Sequence, residues 1–332
     1  MAKTIRDVAR HAGVSISTVS RVLNGTAQVN ENKRLRVEQA IQELSFIPNQ
    51  AARSLVQKKT NGIGVLLPSL GGEFFSEFLS GIDVATRESG YHVLISASHG
   101  SLEELKVALM SMHQRVDGLI IMSPENEGHE IQKLVADDVP VISINGRASN
   151  AAIDTINFDN SRGASMGTEF LIRQGHRRIA FLKGLEGAHD GKQRLQAFRD
   201  TLFKHGIVPD PALELQGDFS HQGGYQAAYE LMKLTPMPTA VFCANDQSAM
   251  GLMAAFQNAG KTIPQDISVI GFDDIPGAQL SAPPLTTINV GIRELGIVAI
   301  QRLLEKDSSS SPVHHMLPVK LVERASTTPL VS

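Results

Sequence analysis

From Asn61 onward the chain alternates short apolar runs with helical stretches, and this rhythm leaves few architectures open. The runs Ile63–Leu67, His92–Ala97, Gly118–Met122, Pro140–Ile144, Ile179–Leu182, Ala240–Cys243 and Ile267–Phe272 read as buried strands. Helical periodicity fills residues 74–89, 102–114, 129–137, 161–174, 191–205, 221–234, 247–259 and 291–305. Near-continuous apolar strands joined by helices predict parallel sheets covered on both faces. Two such series, 62–157 and 162–285, predict an α/β body of two doubly wound parallel-sheet lobes. The stretch 286–325 is long enough to return the chain across both.

The first 60 residues follow a different pattern. Thr4 can cap a helix with Asp7 as its reciprocal partner, and Ile5, Val8, Ala9 and Ala12 recur on one face. Gly13 permits a tight turn, and Ser15 caps a second helix whose inner face is Val19, Val22 and Leu23 before Asn24-Gly25 ends it. Ile16, Ser17, Ser20 and Arg21 are left outside, small, polar or basic side chains suited to a major groove. This is the outline of an all-α helix-turn-helix head. A third helix is expected over Asn30–Leu44, with Leu35, Ala40, Ile41 and Leu44 inside. Pro48 and Asn49 then start a very short helix through Val56, with Ala51, Ala52 and Leu55 on one face. Two turns are marginal alone, which fits a hinge that becomes helical only with support from DNA and a partner subunit.

Charge divides the chain at the same place. Residues 1–60 hold ten Lys and Arg against four acids, a net of +6, so a chain of total charge −3 leaves −9 for the remainder. A basic head on an acidic body is the balance expected of a DNA-binding protein. Length (332 residues) and 42% hydrophobic content suit a small head plus two mid-sized lobes. No apolar run approaches the ~20 residues of a membrane span, and the N-terminus lacks an apolar signal stretch, so a cytoplasmic protein is expected. Cys243, the one cysteine, lies in an apolar run and reads as a packed thiol, so no intrachain disulfide or cysteine metal cluster can form. No phosphate-cradling Gly-rich motif follows a strand, and no nucleophile-base set is recognisable, which argues against an enzyme; no cofactor or metal is expected.

Ligands of open parallel sheets bind outside the carboxyl ends of the strands. Phe74 and Phe75, Arg147, Asn245 with Asp246, and Asp273 with Asp274 all fall just beyond such ends, and Arg194 opens a helix facing the same cleft. Asp and Asn accept or donate in fixed planes, Arg presents a rigid fork, and Phe158 and Phe219 can supply flat walls. The set suits a polyhydroxylated or heteroaromatic small molecule, a sugar slightly better than a purine or nucleoside.

The motifs Thr4–Ala9, Ala12–Ser15, Thr18–Asn24, Ile47-Pro48-Asn49, Gly175-His176, Ile270–Asp274, Pro284–Ile288 and Arg324–Thr327 come in the order and spacing of one family. Over nearly its full length the chain resembles the lac repressor/galactose repressor family of bacterial transcription regulators. The resemblance implies a homodimer on a near-palindromic operator, with a periplasmic-binding-protein-like body that holds a small-molecule effector. It implies Ile16, Ser17 and Arg21 at major-groove bases and Thr4 on phosphate. Ser15, Thr18, Ser20, Asn24 and Asn49 join this DNA-facing set, with Leu55 as a wedge at the operator centre and Ala52 beside it. Arg194, Asn245 and Asp273 would hold the effector between Phe75, Phe158 and Phe219, with Phe74 and Arg147 as further carry-overs; Asp190, also a candidate contact, stands with His189 at positions that vary among family members with different effectors.

The implied division is a head at 1–46, a hinge and linker at 47–60, and a body at 61–332. Lobe 1 would take 61–158 plus 290–318, and lobe 2 159–289 plus 319–328. The chain ends soon after Arg324–Thr327, without the extra C-terminal heptad helix by which the lac repressor itself tetramerises, so a dimer is expected. Alternatives are the same fold answering to a purine or nucleoside, or to a protein co-regulator, and more distantly a sugar-binding protein or an enzyme.

Overall fold

The computed structural model describes residues 3–23, 29–47, 59–123, 131, 133–135, 139–146, 153–305 and 311–330. Asn24, Asn49, Ala52, Leu55 and Arg147, the expected hinge helix and most of the expected 129–137 helix lie outside the described residues. The chain separates into two compact units, Met1–Thr60 and Asn61–Ser332.

In the first unit, helices α1 (Ile5–Ala12), α2 (Ile16–Leu23) and α3 (Glu31–Glu43) enclose a small core. The backbone N–H and the hydroxyl of Thr4 both donate to Asp7 Oδ2, at 2.9 and 2.8 Å, holding the Asp7 carboxyl below its ordinary range. Gly13 turns the chain at φ 62, and its carbonyl accepts from Arg36 Nη2 at 3.2 Å. Ser15 Oγ caps α2 by accepting from the Thr18 N–H at 3.2 Å. Val8, Val19 and Val37 are fully buried at the centre. Leu35, expected inside α3, is 53% exposed, because the inner stripe runs through Val37, Ala40, Ile41 and Leu44 at helical spacing and Leu35 falls off it.

The second unit carries two parallel sheets. The first has strand order β11-β5-β4-β3-β1-β2. Its strands are β1 (Gly62–Leu67), β2 (His92–Ala97), β3 (Gly118–Met122), β4 (Val141–Ile144), β5 (Asp154–Phe158) and β11 (His314–Leu317). The second has order β7-β6-β8-β9, from β6 (Ile179–Leu182), β7 (Glu214–Leu215), β8 (Ala240–Cys243) and β9 (Ser268–Ile270). A small antiparallel pair joins β10 (Thr287–Asn289) to β12 (Lys320–Val322). Around the first sheet run α4 (Glu73–Ser89), α5 (Leu102–Met112) and α11 (Ile292–Glu305). The second lobe carries α6 (Asn160–Arg173), α7 (His189–Lys204), α8 (His221–Lys233), α9 (Asp246–Asn258) and the short α10 (Pro276–Leu280).

Of the strands that differ from their sequence reading, two show a clear physical reason. β2 is an edge strand and only half-buried, since one side of it has no neighbour in the sheet. β5 goes unread because polar Asp154 and Asn157 interrupt it. Asp154 is buried, accepting from Arg302 Nε at 2.8 Å and the Val313 N–H at 3.0 Å, which ties β5 to α11 and to the approach to β11. Cys243 is fully buried, and desolvation raises its thiol pKa, so it is a packing residue.

The crossing of α4 and α11 requires glycine on both helices. A Cβ at Gly81 would lie 2.0 Å from the Arg293 carbonyl oxygen, and one at Gly296 2.3 Å from that of Phe78. Gly81→Val is therefore expected to cost about 1–3 kcal/mol or more, by forcing the helices apart. Calorimetry checks this as a lowered melting midpoint of the body.

The motif Arg324–Thr327 ties the end of the chain into the second lobe. Ser326 Oγ donates to the Val269 carbonyl at 2.6 Å and accepts from the Thr286 N–H at 2.8 Å. Arg324 donates to Asp274 Oδ1 at 2.6 Å and to the Leu285 carbonyl at 2.8 Å. Buried His176 anchors the same segment, bonded to Thr239 Oγ1 and to the Thr328 carbonyl. Among the described residues, no helix is long and apolar enough to cross a membrane.

Candidate functional site

The outer face of α2 is built for contact. Ile16 is 46% exposed, Ser17 and Arg21 are exposed, and Val19 on the opposite side anchors the helix to α1 and α3. Ser15 Oγ lies 2.8 Å from both Ser17 Oγ and Thr18 Oγ1, so three hydroxyls cluster at the N-terminus of α2. Thr4 is exposed at the start of α1. Ser20 lies on α2 between Val19 and Arg21, half-buried. An exposed apolar tip beside hydroxyls and a guanidinium matches the chemistry of a major groove: a thymine methyl, phosphate oxygens and guanine acceptors.

In the body, a cavity of about 300 Å³ opens at the carboxyl ends of the strands. Its lining brings together Phe74, Phe75, Phe158, Asp190, Arg194, Phe219, Asn245 and Asp273, and leaves out Asp246 and Asp274. Asp274 is not among them: its carboxylate is held by Arg324 and by Asn289 Nδ2 at 2.7 Å, which makes it structural.

Arg194 is 2% exposed and nearly saturated. Its Nε donates to Asn160 Oδ1 at 2.8 Å, and Nη1 donates to the Ala244 carbonyl and lies 3.5 Å from Asp273 Oδ1. Nη2 approaches Asp190 Oδ2 at 3.9 Å, and the guanidinium carbon sits 3.8 Å from the centre of the Phe272 ring. A planar cation with this many fixed partners positions its neighbours while lining the cavity.

Asn245 is likewise committed. Its Oδ1 caps α9 by accepting from Ser248 N–H at 3.1 Å, and its Nδ2 donates to the Phe219 carbonyl at 2.9 Å. It holds Phe219 at φ 65, with the ring over Gly184, where a Cβ would lie 2.0 Å from the ring. Asn245 thus acts largely through the wall it positions.

Asp273 sits at φ 115, a conformation that costs energy outside glycine. Burial pushes its carboxyl up to about 7; the Arg194 guanidinium opposes the shift and Asp190 adds to it. Behind it, Asp246 is fully buried and raised well above the carboxylate range by the same desolvation, though Thr287 and the Ile275 N–H donate to it. A raised pKa means that between the ordinary carboxylate pKa and 7 the folded chain holds a proton that the unfolded chain releases. That contribution to stability is complete at low pH and fades as pH rises to 7. A ligand donating a hydrogen bond to ionised Asp273 is expected to release up to one proton near pH 6 and to bind more tightly as pH passes 7. Calorimetry in two buffers of different ionisation enthalpy reads this directly.

Sequence reasoning missed Asn145, Asn160, Phe272, Asp218, Gln247 and His99. Asn145 follows β4 and could have been found by the strand-end rule, as could His99 after β2. Asn160 was hidden with its strand, β5. Among the described residues, no cluster of His, Cys, Asp or Glu could hold a metal.

Comparison with known proteins follows the same division. Residues 4–49 match bacterial regulatory proteins of the lacI family, and residues 168–327 match a periplasmic binding protein-like domain. The chain is 35% identical to the HTH-type transcriptional repressor PurR of Proteus mirabilis, over 97% of this chain and 96% of that protein. Among solved structures, the lac repressor dimer bound to operator and the anti-inducer ONPF is similar with a TM-score of 0.88 and 34% identity, over 99% of this chain and 100% of that one. A LacI family regulator from Enterococcus faecium with bound ribose is similar with a TM-score of 0.72 and 31% identity, over 81% of this chain and 100% of that one. With a helix-turn-helix head, two parallel-sheet lobes and these relatives along nearly its whole length, the chain belongs to the lacI family and is a DNA-binding transcriptional repressor, not an enzyme.

Proposed function

We propose that this repressor binds its operator as a homodimer and that a purine base or nucleoside, held in the Phe-walled cleft, sets its operator affinity. The observation that carries the effector class is the combination of flat walls with fixed acceptors. Phe74, Phe75, Phe158 and Phe219 supply aromatic walls, and Asp190 and Asp273 supply carboxyl oxygens to the same cavity. A flat heterocycle with N–H donors on its rim satisfies both at once. The name PurR carried by relatives at this identity supports the same class over the sugar favoured from sequence. A pentose is the second reading, favoured by the ribose in the Enterococcus faecium regulator.

Dimerisation is supported by large apolar side chains on the body's surface. Val107 and Met110 on α5 are 67% and 77% exposed, Ile95 lies on the edge strand β2, and Leu280 on α10 is 82% exposed. Val107, Met110 and Ile95 belong to two elements that pack on each other, and exposed apolar residues grouped in this way support an interaction surface. The lac repressor structure with its operator is itself a dimer. In this reading, residues 47–60 form the hinge between a head at 1–46 and the body. The effector acts by changing how the lobes meet across the dimer, hence the spacing of the hinges.

The test is a thermal-shift panel of purine bases, nucleosides, pentoses and hexoses against the full chain. A ligand at 100 times its Kd stabilises by about 2.7 kcal/mol, a shift of several degrees. A shift with purines or nucleosides supports the reading. A shift with pentoses alone replaces it, and a flat panel points to a protein co-regulator.

A further inference from the structure

The back of the cleft is closed by a ring of four side chains. Arg194 Nε donates to Asn160 Oδ1 at 2.8 Å, Asn160 Nδ2 donates to Asn145 Oδ1 at 3.1 Å, and Asn145 Nδ2 donates to Asp190 Oδ2 at 3.3 Å. Asp190 Oδ2 returns to Arg194 Nη2 at 3.9 Å. The direction of every bond is forced. A guanidinium can only donate and a carboxylate can only accept, so both amides between them have one possible orientation. Asn160, Arg194 and Asp190 belong to α6 and α7 of the second lobe, and Asn145 follows β4 of the first. Asn145 is thus the one ring member from its lobe. It meets two demands together: a side chain that accepts and donates at once, and a backbone at φ 51, where asparagine is tolerated better than most residues.

A second bond joins the lobes elsewhere. The Gly277 N–H of α10 donates to Glu73 Oε2 of α4 at 2.6 Å. It touches neither Arg194 nor Asp190, so it can hold the lobes together without ordering the ligand-facing groups.

We propose that Asn145 is the positioning residue that couples closure of the two lobes to the placement of Arg194 and Asp190. Its carboxamide relays one to the other, so the lobes meet in the same event that sets the guanidinium and the carboxylate facing the effector. Three ring members are buried, with Asn145 8%, Asn160 3% and Arg194 2% exposed, and Asp190 is half-buried, so the bonds are strengthened by reduced dielectric and each loss is felt around the ring.

The test reverses one bond. Asn145→Asp keeps the shape and tolerates the same φ, but sets a carboxylate against Asp190. Asp190→Asn alone keeps an oxygen to accept from Asn145. In the double variant Asn145→Asp/Asp190→Asn, the new amide donates to the new carboxylate and the ring closes in the opposite sense at that link. The readout is amide hydrogen exchange of segments 141–146 and 158–162 in the full chain without ligand, so the result is independent of which effector the protein takes. Asn145→Asp is expected to lower protection about tenfold or more, Asp190→Asn much less, and the double variant to recover most of the loss, as for directly interacting residues. An unfolded Asn145→Asp with a folded, protected double variant supports the proposal equally. A double variant no better than Asn145→Asp overturns it. So does wild-type protection in Asn145→Ala, which deletes both bonds without adding charge.

Discussion

Replacing Arg194 with methionine is expected to abolish the effector response and to lower the melting midpoint of the body by about 6–20 °C. The size follows from what the guanidinium holds. With Arg194 2% exposed, its removal strands Asp273 and Asp190 in a buried site and leaves Asn160 Oδ1 and the Ala244 carbonyl without a donor. Breaking a buried pair by removing one partner costs about 3–5 kcal/mol, and each kcal/mol moves the midpoint of a domain this size by about 2–4 °C. Arg194→Lys is expected to recover little, since a point charge cannot serve Asn160, Ala244 and Asp273 in one plane. Adding Asp273→Asn to Arg194→Met replaces the carboxyl left without its cation by a neutral amide and should return part of the stability without returning the response. Scanning calorimetry reads the midpoints, and fluorescence anisotropy on operator DNA with and without effector reads the response. DNA binding below the new midpoint is expected to persist, because the head has its own core of Val8, Val19 and Val37.

Arg21→Ala is expected to weaken operator binding about tenfold to a hundredfold while leaving body stability unchanged. Arg21 is exposed on the outer face of α2, and a guanidinium that forks onto a guanine is worth about 1–3 kcal/mol of discrimination. The loss should be larger on operator than on random DNA. Equal losses on both would assign Arg21 to phosphate. Arg36→Ala is the informative contrast: Arg36 bonds the Gly13 carbonyl at the turn, so its loss should lower the stability of the head itself.

The head was legible in the sequence because its signals are local. Thr4 and Asp7, Gly13 and Ser15 each fix their own turn, and their chemistry reads within three or four residues. The parallel sheets were legible from strands buried on both faces. What escaped depends on partners distant in sequence. Asp154 looks wrong for a strand until Arg302 arrives from 148 residues away to pair with it. Asp273 and Asp274 are equivalent neighbours in sequence, and only Arg324 and Asn289 divide them, leaving one carboxylate to the cleft and one to the scaffold.

The cleft shows the same limit. Residues at strand ends could be nominated from the alternation of strands and helices, and most of the described ones gather around the cavity, Asp246 and Asp274 excepted. The roles within it could not be assigned. Asn245 read as a ligand contact, yet both ends of its amide serve the protein, one on α9 and one on Phe219. Asn145 and Asn160 carried no signal as a pair, because their relation exists only where two lobes meet.

The most direct test of the account is the operator affinity of the full chain, measured by anisotropy across a titration of purine bases and nucleosides, in wild type and Arg194→Met side by side. The account expects at least one of these ligands to change wild-type affinity by about 5- to 150-fold, the usual range of coupling between two sites, and to leave Arg194→Met unmoved. A ligand that shifts both proteins equally, or one that stabilises the body without altering operator affinity, would contradict it.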